Sequence, residues 1–201
     1  MFRKGISILG SRSNAHRDLD ALAQRIELVE KRREMALPEE ARSTLRELAT
    51  AIRELPTLQA NWGLTKKSNL GRGGSLLLTG GSTTDRTLIA ESIAQDLKLP
   101  LYRVDLSRVG DKFIGETEKN LSRLFNAAAK TNVVLLFDEA DAFFGKRTDV
   151  KDSHDRYANI EASYLLDRIE CHTGIVIIAS NLGENLDDAF IRRLRHHIKL
   201  P

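Results

Sequence analysis

The sequence predicts an α/β domain built on a parallel sheet, preceded by a helical N-terminal segment. Three observations carry this. The short continuous apolar runs Ser75–Thr79 (SLLLT), Val133–Phe137 (VVLLF) and Ile175–Ala179 (IVIIA) have the length and composition of strands buried on both faces. Segments of helical periodicity lie between them, and strands alternating with helices wind into a parallel sheet with right-handed crossovers. The 201 residues, 41% of them apolar, suffice for one sizeable domain and an appendage.

In chain order, residues 16–36 space Leu19, Leu22, Ile26 and Val29 as on one helix face. Pro38 ends that pattern and opens a second helix to Leu55, with Glu39 and Glu40 in its first turn and Leu45, Leu48, Ile52 and Leu55 as its apolar stripe. Residues 65–74 are a glycine-rich loop. The SLLLT strand follows, then a helix from Thr87 to Leu97, a strand over Leu101–Val104 and a helix over Glu116–Lys130. The VVLLF strand, a helix over Arg156–Glu170, the IVIIA strand, a short helix over Asp187–Arg193 and a short strand over His197–Leu200 complete the pattern. In such sheets the ligand sits at the carboxyl ends of the strands.

Composition excludes several classes. No apolar run reaches the ~20 residues of a bilayer span, and the MFRKGISILG start is too short and interrupted for a signal peptide. Cys171 is the lone cysteine, so no intrachain disulfide forms and a cytoplasmic setting is expected. Residues 1–72 carry a net +5 and the remainder −2. That basic excess fits a solvated helical face, or an acidic partner or nucleic acid. No aromatics interleave with it to stack bases, so nucleic-acid binding is not expected.

Four segments carry chemistry. Gly80–Thr87 (GGSTTDRT) joins a strand to a helix, where a phosphate-binding loop has the form G-x-x-x-x-G-K-[ST]. Gly80 and Thr87 fit that form; Asp85 stands at the second glycine and Arg86 at the lysine. Val133–Glu139 ends a buried strand in two carboxylates, Asp138 suited to Mg²⁺ and Glu139 to polarising a water; a plain helix cap has the same look. Asn181 at the tip of IVIIASN could orient that water or simply make a turn. Arg192, Arg193 and Arg195 in LDDAFIRRLR are either solvated surface or fingers offered to a neighbouring nucleotide.

Taken together, the motifs resemble the AAA family of ATPases over about residues 38–201, leaving 1–37 as a basic helical segment. The resemblance includes Asn61, Trp62 and Gly63, near where the family holds adenine, and VDLSRVGDKFIGETEKNL, in which Lys112, Phe113 and Ile114 match a pore loop that grips a polypeptide. The stretch FGKRTDVKDSHDRYANIEASYLLDRIE is similar to a bacterial branch that accompanies contractile injection systems. The resemblance implies a three-layer P-loop NTPase sandwich that binds ATP or ADP with Mg²⁺ through Gly63, Gly80, Gly81, Ser82, Thr83, Thr84, Asp85, Arg86, Thr87 and Leu88. It implies Thr87 and Asp138 at the metal, Glu139 as the catalytic carboxylate, Asn181 as the sensor, and Arg192 and Arg193 as fingers. Phe113 is either the pore-loop aromatic or a buried side chain. His154, Asp155 and Arg156 are either a second pore loop or inter-subunit contact, or a helix-start cluster with no special role. A homo- or hetero-oligomeric ring, hexameric in the family, with a remodelling or assembly role follows.

Two departures stand out. Arginine is planar and larger than the lysine it replaces, and aspartate adds bulk and charge where backbone should meet phosphate. The sequence ends at HIKLP, ahead of the expected helical lid, as a fragment or a shortened paralogue would. Weak ATP binding and poor hydrolysis are therefore expected. The readings are an active motor, an inactive structural or regulatory subunit lending arginines to its neighbours, and a nucleic-acid adaptor using the basic N-terminal helices.

Overall fold

The computed structural model describes residues 14–28, 39, 43–47, 50, 73–109, 115–141, 153–182 and 186–200. Six strands form one sheet: β1 (Ala23–Ile26), β2 (Gly74–Thr79), β3 (Leu101–Asp105), β4 (Val134–Asp138), β5 (Ile175–Ser180) and β6 (His196–Lys199), in the spatial order β1-β3-β4-β5-β2-β6. Pairing is parallel from β3 to β6, and β1 is antiparallel on β3. The helices are α1 (Thr83–Leu97), α2 (Leu106–Val109), α3 (Glu116–Thr131), α4 (Ser153–Cys171) and α5 (Asp188–Ile191). Residues 14–22 and 43–47 are also helical.

The strand alternation divides the core into two faces. Leu77, Val104, Leu135, Phe137, Val176 and Ile178 pack with Leu121, Leu124, Phe125, Leu165 and Ile169 of α3 and α4. Leu76, Leu78, Val134, Leu136, Ile175 and Ile177 pack with Ile89, Ala90, Ile93 and Ala94 of α1. The result is the expected three-layer sandwich, with the core strands buried on both faces. Among the described residues, no helix is long and apolar enough to cross a membrane.

Two expectations change. The helix predicted over 16–36 gives way at Ala23 to a strand. The free edge of β3 offers unpaired backbone groups to residues 23–26, and that pairing outweighs continued helical spacing. Ala15, Leu19, Leu22 and Ala23 join the core, and Arg123 of α3 binds Asp18 at 2.7 Å, so residues 14–26 belong to the sheet domain rather than to a separate segment. The second change concerns α1, which begins at Thr83, four residues ahead of the expected Thr87. Ser82 caps it reciprocally with Asp85, an N-cap and N3 pair that satisfies two backbone donors of the first turn and so favours a helix start there.

His172, after α4, is buried against the edge of Phe125, and its Nε2 has no hydrogen-bond partner among the described residues. Burial, helped by the Arg168 guanidinium, pushes its pKa down to about 4. Between about 6.5 and about 4 the unfolded chain takes up a proton that the folded chain refuses, so stability falls as pH falls through that window. The loss from this group by pH 4 is expected to be on the order of 3 kcal/mol. Urea titrations across that range should show a shallower pH slope for His172→Gln; equal slopes would contradict the assignment.

Candidate nucleotide site

The sheet order brings the expected motifs to one edge. β5 lies between β2 and β4, so the loop after β2, the carboxylates after β4 and the polar tip of β5 adjoin one another. Thr79 stands opposite Ser180, and Asp105 opposite Asp138. The strands stay parallel here, but the connection from β2 leaves toward distant β3 while that from β5 passes β2 to reach β6; connections that diverge from adjacent strands open the crevice where α/β folds take ligands.

Gly80 and Gly81 begin the loop with φ of +71° and +59°. A Cβ at Gly80 would lie 2.3 Å from the Leu200 carbonyl oxygen, so side chains are excluded by both torsion and space. The loop then closes on itself. The Ser82 N–H donates to Asp85 Oδ2 at 3.0 Å, Ser82 Oγ donates to the same oxygen at 2.7 Å, and the Asp85 N–H donates to Ser82 Oγ at 3.1 Å. The hydrogen bonds from Ser82 hold the Asp85 carboxyl below the usual carboxylate range, with the Arg86 charge adding to them. The Arg86 N–H donates to the Ser82 carbonyl at 3.1 Å, an ordinary first-turn helix bond.

The Arg86 side chain is 1% exposed, a depth at which a guanidinium must be paired. Its Nη1 donates to the carbonyls of Gly80 at 2.7 Å and Gly81 at 3.1 Å. Its Nη2 donates to Thr83 Oγ1 at 3.2 Å and to Asn181 Oδ1. Among the described residues its Nε has no hydrogen-bond partner. The predicted loop and sensor residues thus meet through one side chain.

The carboxylates after β4 have their own arrangement. Asp138 Oδ1 accepts the Glu139 N–H at 3.1 Å, and Glu139 is exposed with φ of +53°. Arg103 of β3 lies between Thr87 and Asp138: its Nη2 donates to Thr87 Oγ1 at 3.1 Å and its Nε is 3.6 Å from Asp138 Oδ2. Asp141 accepts from Ser180 Oγ at 2.6 Å and from the Asn181 N–H at 2.9 Å, fixing the β5 tip. Sequence reasoning did not single out Arg103 or Asp141. The DEAD spacing from Asp138 to Asp141 was a signal for the second; nothing in the sequence alone distinguishes Arg103 from any strand arginine.

The arginines near α5 have different surroundings. Arg193 is engaged within the chain, Nε to Glu170 Oε1 at 2.5 Å and Nη2 to Asp167 Oδ1 at 2.5 Å, and these bonds, Glu170 foremost, raise its pKa further. Arg192 and Arg195 are exposed. Asn61, Trp62, Gly63, Lys112, Phe113 and Ile114 lie outside the described residues, as do the side chains of His154, Asp155 and Arg156.

The profile of the ATPase family associated with various cellular activities (AAA) matches residues 76–201. The chain belongs to the AAA family. It is 38% identical over 120 residues to an uncharacterized AAA family ATPase, y4kL, of Sinorhizobium fredii, covering 59% of this chain and 36% of that protein. It is 31% identical over 164 residues to the 26S proteasome regulatory subunit 10B homolog A of Arabidopsis thaliana, covering 78% of this chain and 40% of that one. The chain therefore corresponds to less than half the length of either relative. The crystal structure of the FIGL-1 AAA domain in complex with ADP shares the fold at a TM-score of 0.64 and 23% identity, covering 94% of this chain and 61% of that chain.

AAA domains bind nucleotide, typically with Mg²⁺, so the fit of this AAA site to that group is decided by its donors. A phosphate cradle works through unspent backbone N–H groups and a cation reaching out of the loop. Here the N–H groups of Ser82, Asp85 and Arg86 are spent within the chain, and the Arg86 cation points into the loop's own carbonyls. The hydroxyl and carboxylate suited to Mg²⁺, those of Thr87 and Asp138, face a guanidinium instead. In this arrangement the residues do not fit Mg·ATP; Glu139 is exposed beside them.

Proposed function

We propose that this chain is an AAA subunit that binds and hydrolyses ATP poorly and acts within a ring of AAA subunits, homo- or hetero-oligomeric and hexameric, in protein remodelling or assembly. One observation carries the reading: Asp85 and Arg86, standing at the glycine and lysine of the phosphate loop, are bonded into the loop itself. The relative among proteasome regulatory subunits supports a role on polypeptides, for which Phe113 is the candidate grip. The likeness of residues 144–170 to the branch that accompanies contractile injection systems supports an assembly role.

Within such a ring the chain would still serve a neighbour. Arg192 is exposed at the end of α5 and is the better candidate finger, because Arg193 would first have to leave Asp167 and Glu170. Steady-state phosphate release by the full chain tests the reading. Turnover is expected at the level of a Glu139→Gln variant; turnover well above that level, abolished by Glu139→Gln, would contradict it.

A further inference from the structure

We infer that Asp85, Arg86 and Arg103 form an internal ligand set that holds the phosphate loop, the β5 tip and the end of β4 in place without bound nucleotide. The inference deepens the reading of poor nucleotide handling and rests on it. Each member of the set takes a different place. Asp85 supplies the anion at the start of α1, accepting the Ser82 N–H and hydroxyl. Arg103 supplies a cation between Thr87 and Asp138, bridging the start of α1 to the end of β4. Arg86 bridges the loop carbonyls of Gly80 and Gly81 to the Asn181 amide, 95 residues away in sequence.

These are the junctions that a nucleotide with its metal would otherwise span, since it must contact the loop, the strand carboxylate and the sensor at once. A guanidinium presents donors on both Nη atoms in a rigid plane and can hold two element ends together; a lysine ammonium is a single point on a flexible stem. Arg86 is therefore a positioning residue for Asn181, and its identity as arginine is the functional feature. The consequence for regulation is a subunit whose site keeps one geometry while neighbours exchange nucleotide.

Amide hydrogen exchange on the full chain, with and without millimolar Mg·ATP, tests this. In the unaltered chain, protection at Asp85, Arg86 and Asn181 is expected to be the same in both conditions. Arg86→Ala is expected to speed exchange at the loop and at Asn181 together by about tenfold or more, and to lower the melting temperature by about 5 °C, with β2 and β5 core amides unchanged. Arg86→Lys keeps the charge and is expected to lose protection at Asn181 as well; it carries the test should the alanine variant fail to fold. Unaltered exchange at Asn181 in Arg86→Lys, or reorganised loop protection when Mg·ATP is added to the unaltered chain, overturns the inference. Should the unaltered chain bind Mg·ATP with no change in protection while both variants release Asn181, the poor-affinity reading falls and the internal set stands.

Discussion

Replacing Asp85 by glycine and Arg86 by lysine together is expected to tighten Mg·ATP binding by about a hundredfold or more. Two changes act in the same direction. Removing the carboxylate frees the Ser82 N–H, and a hydrogen bond from such a donor to a charged oxygen contributes about 1.5–3 kcal/mol. It also removes a negative charge from the phosphates' surroundings; at about 4 Å and an effective dielectric near 20, that repulsion is roughly 4 kcal/mol if fully expressed. The Arg86 change moves the loop cation from the Gly80 and Gly81 carbonyls to a side chain able to reach outward. At about 1.4 kcal/mol per tenfold, even the hydrogen-bond contribution with a modest share of the repulsion reaches a hundredfold. The double variant loses its reciprocal cap, at a cost of about 1 kcal/mol, and so should melt lower without nucleotide and regain stability when Mg·ATP is added. Titration calorimetry and melting with and without Mg·ATP check both parts. An affinity unchanged from the parent chain would show that the two substitutions are not what sets it.

Phe137→Ala is expected to destabilise the domain by about 3–5 kcal/mol. The side chain is fully buried on the face shared with α3 and α4, and its ring stacks on Phe125 with centroids 5.8 Å apart. The loss includes transfer of the ring, the cavity beneath the sheet and the aromatic pair, which adds about 0.5–1.5 kcal/mol beyond area. For a domain of this size the melting temperature should fall by about 6–20 °C. Phe137 directly precedes Asp138, so a cavity there also loosens the floor under the site carboxylates. A fall under about 2 °C would mean that this stretch of β4 is not the packed centre of the domain.

The fold was largely legible because its strands are continuous apolar runs that nothing but a doubly covered sheet can bury; VVLLF and IVIIA appear within one residue of their expected bounds. β1 was not legible. Its four residues carry helical spacing, and only the open edge of β3 draws them into pairing. The site was legible as positions but not as contacts. Gly80, Asp138 and Asn181 gather at one sheet edge because the strands that carry them are neighbours. Sequence also marked Asp85 and Arg86 as out of place, yet pictured the carboxylate facing phosphate. The structure turns it back onto Ser82, because a Ser-x-x-Asp pair at a helix start makes its own cap. Arg103 was invisible for a related reason: which group a strand arginine meets depends on the neighbours its sheet provides, here Thr87 and Asp138.

The chain's own side chains, Asp85 and Arg86, occupy its phosphate loop. Calorimetric titration of the unaltered full chain with Mg·ATP tests that occupancy most directly. No saturable heat is expected up to roughly 100 μM nucleotide, the range in which a working site gains about 5–8 kcal/mol. A micromolar dissociation constant with one nucleotide per chain would contradict it.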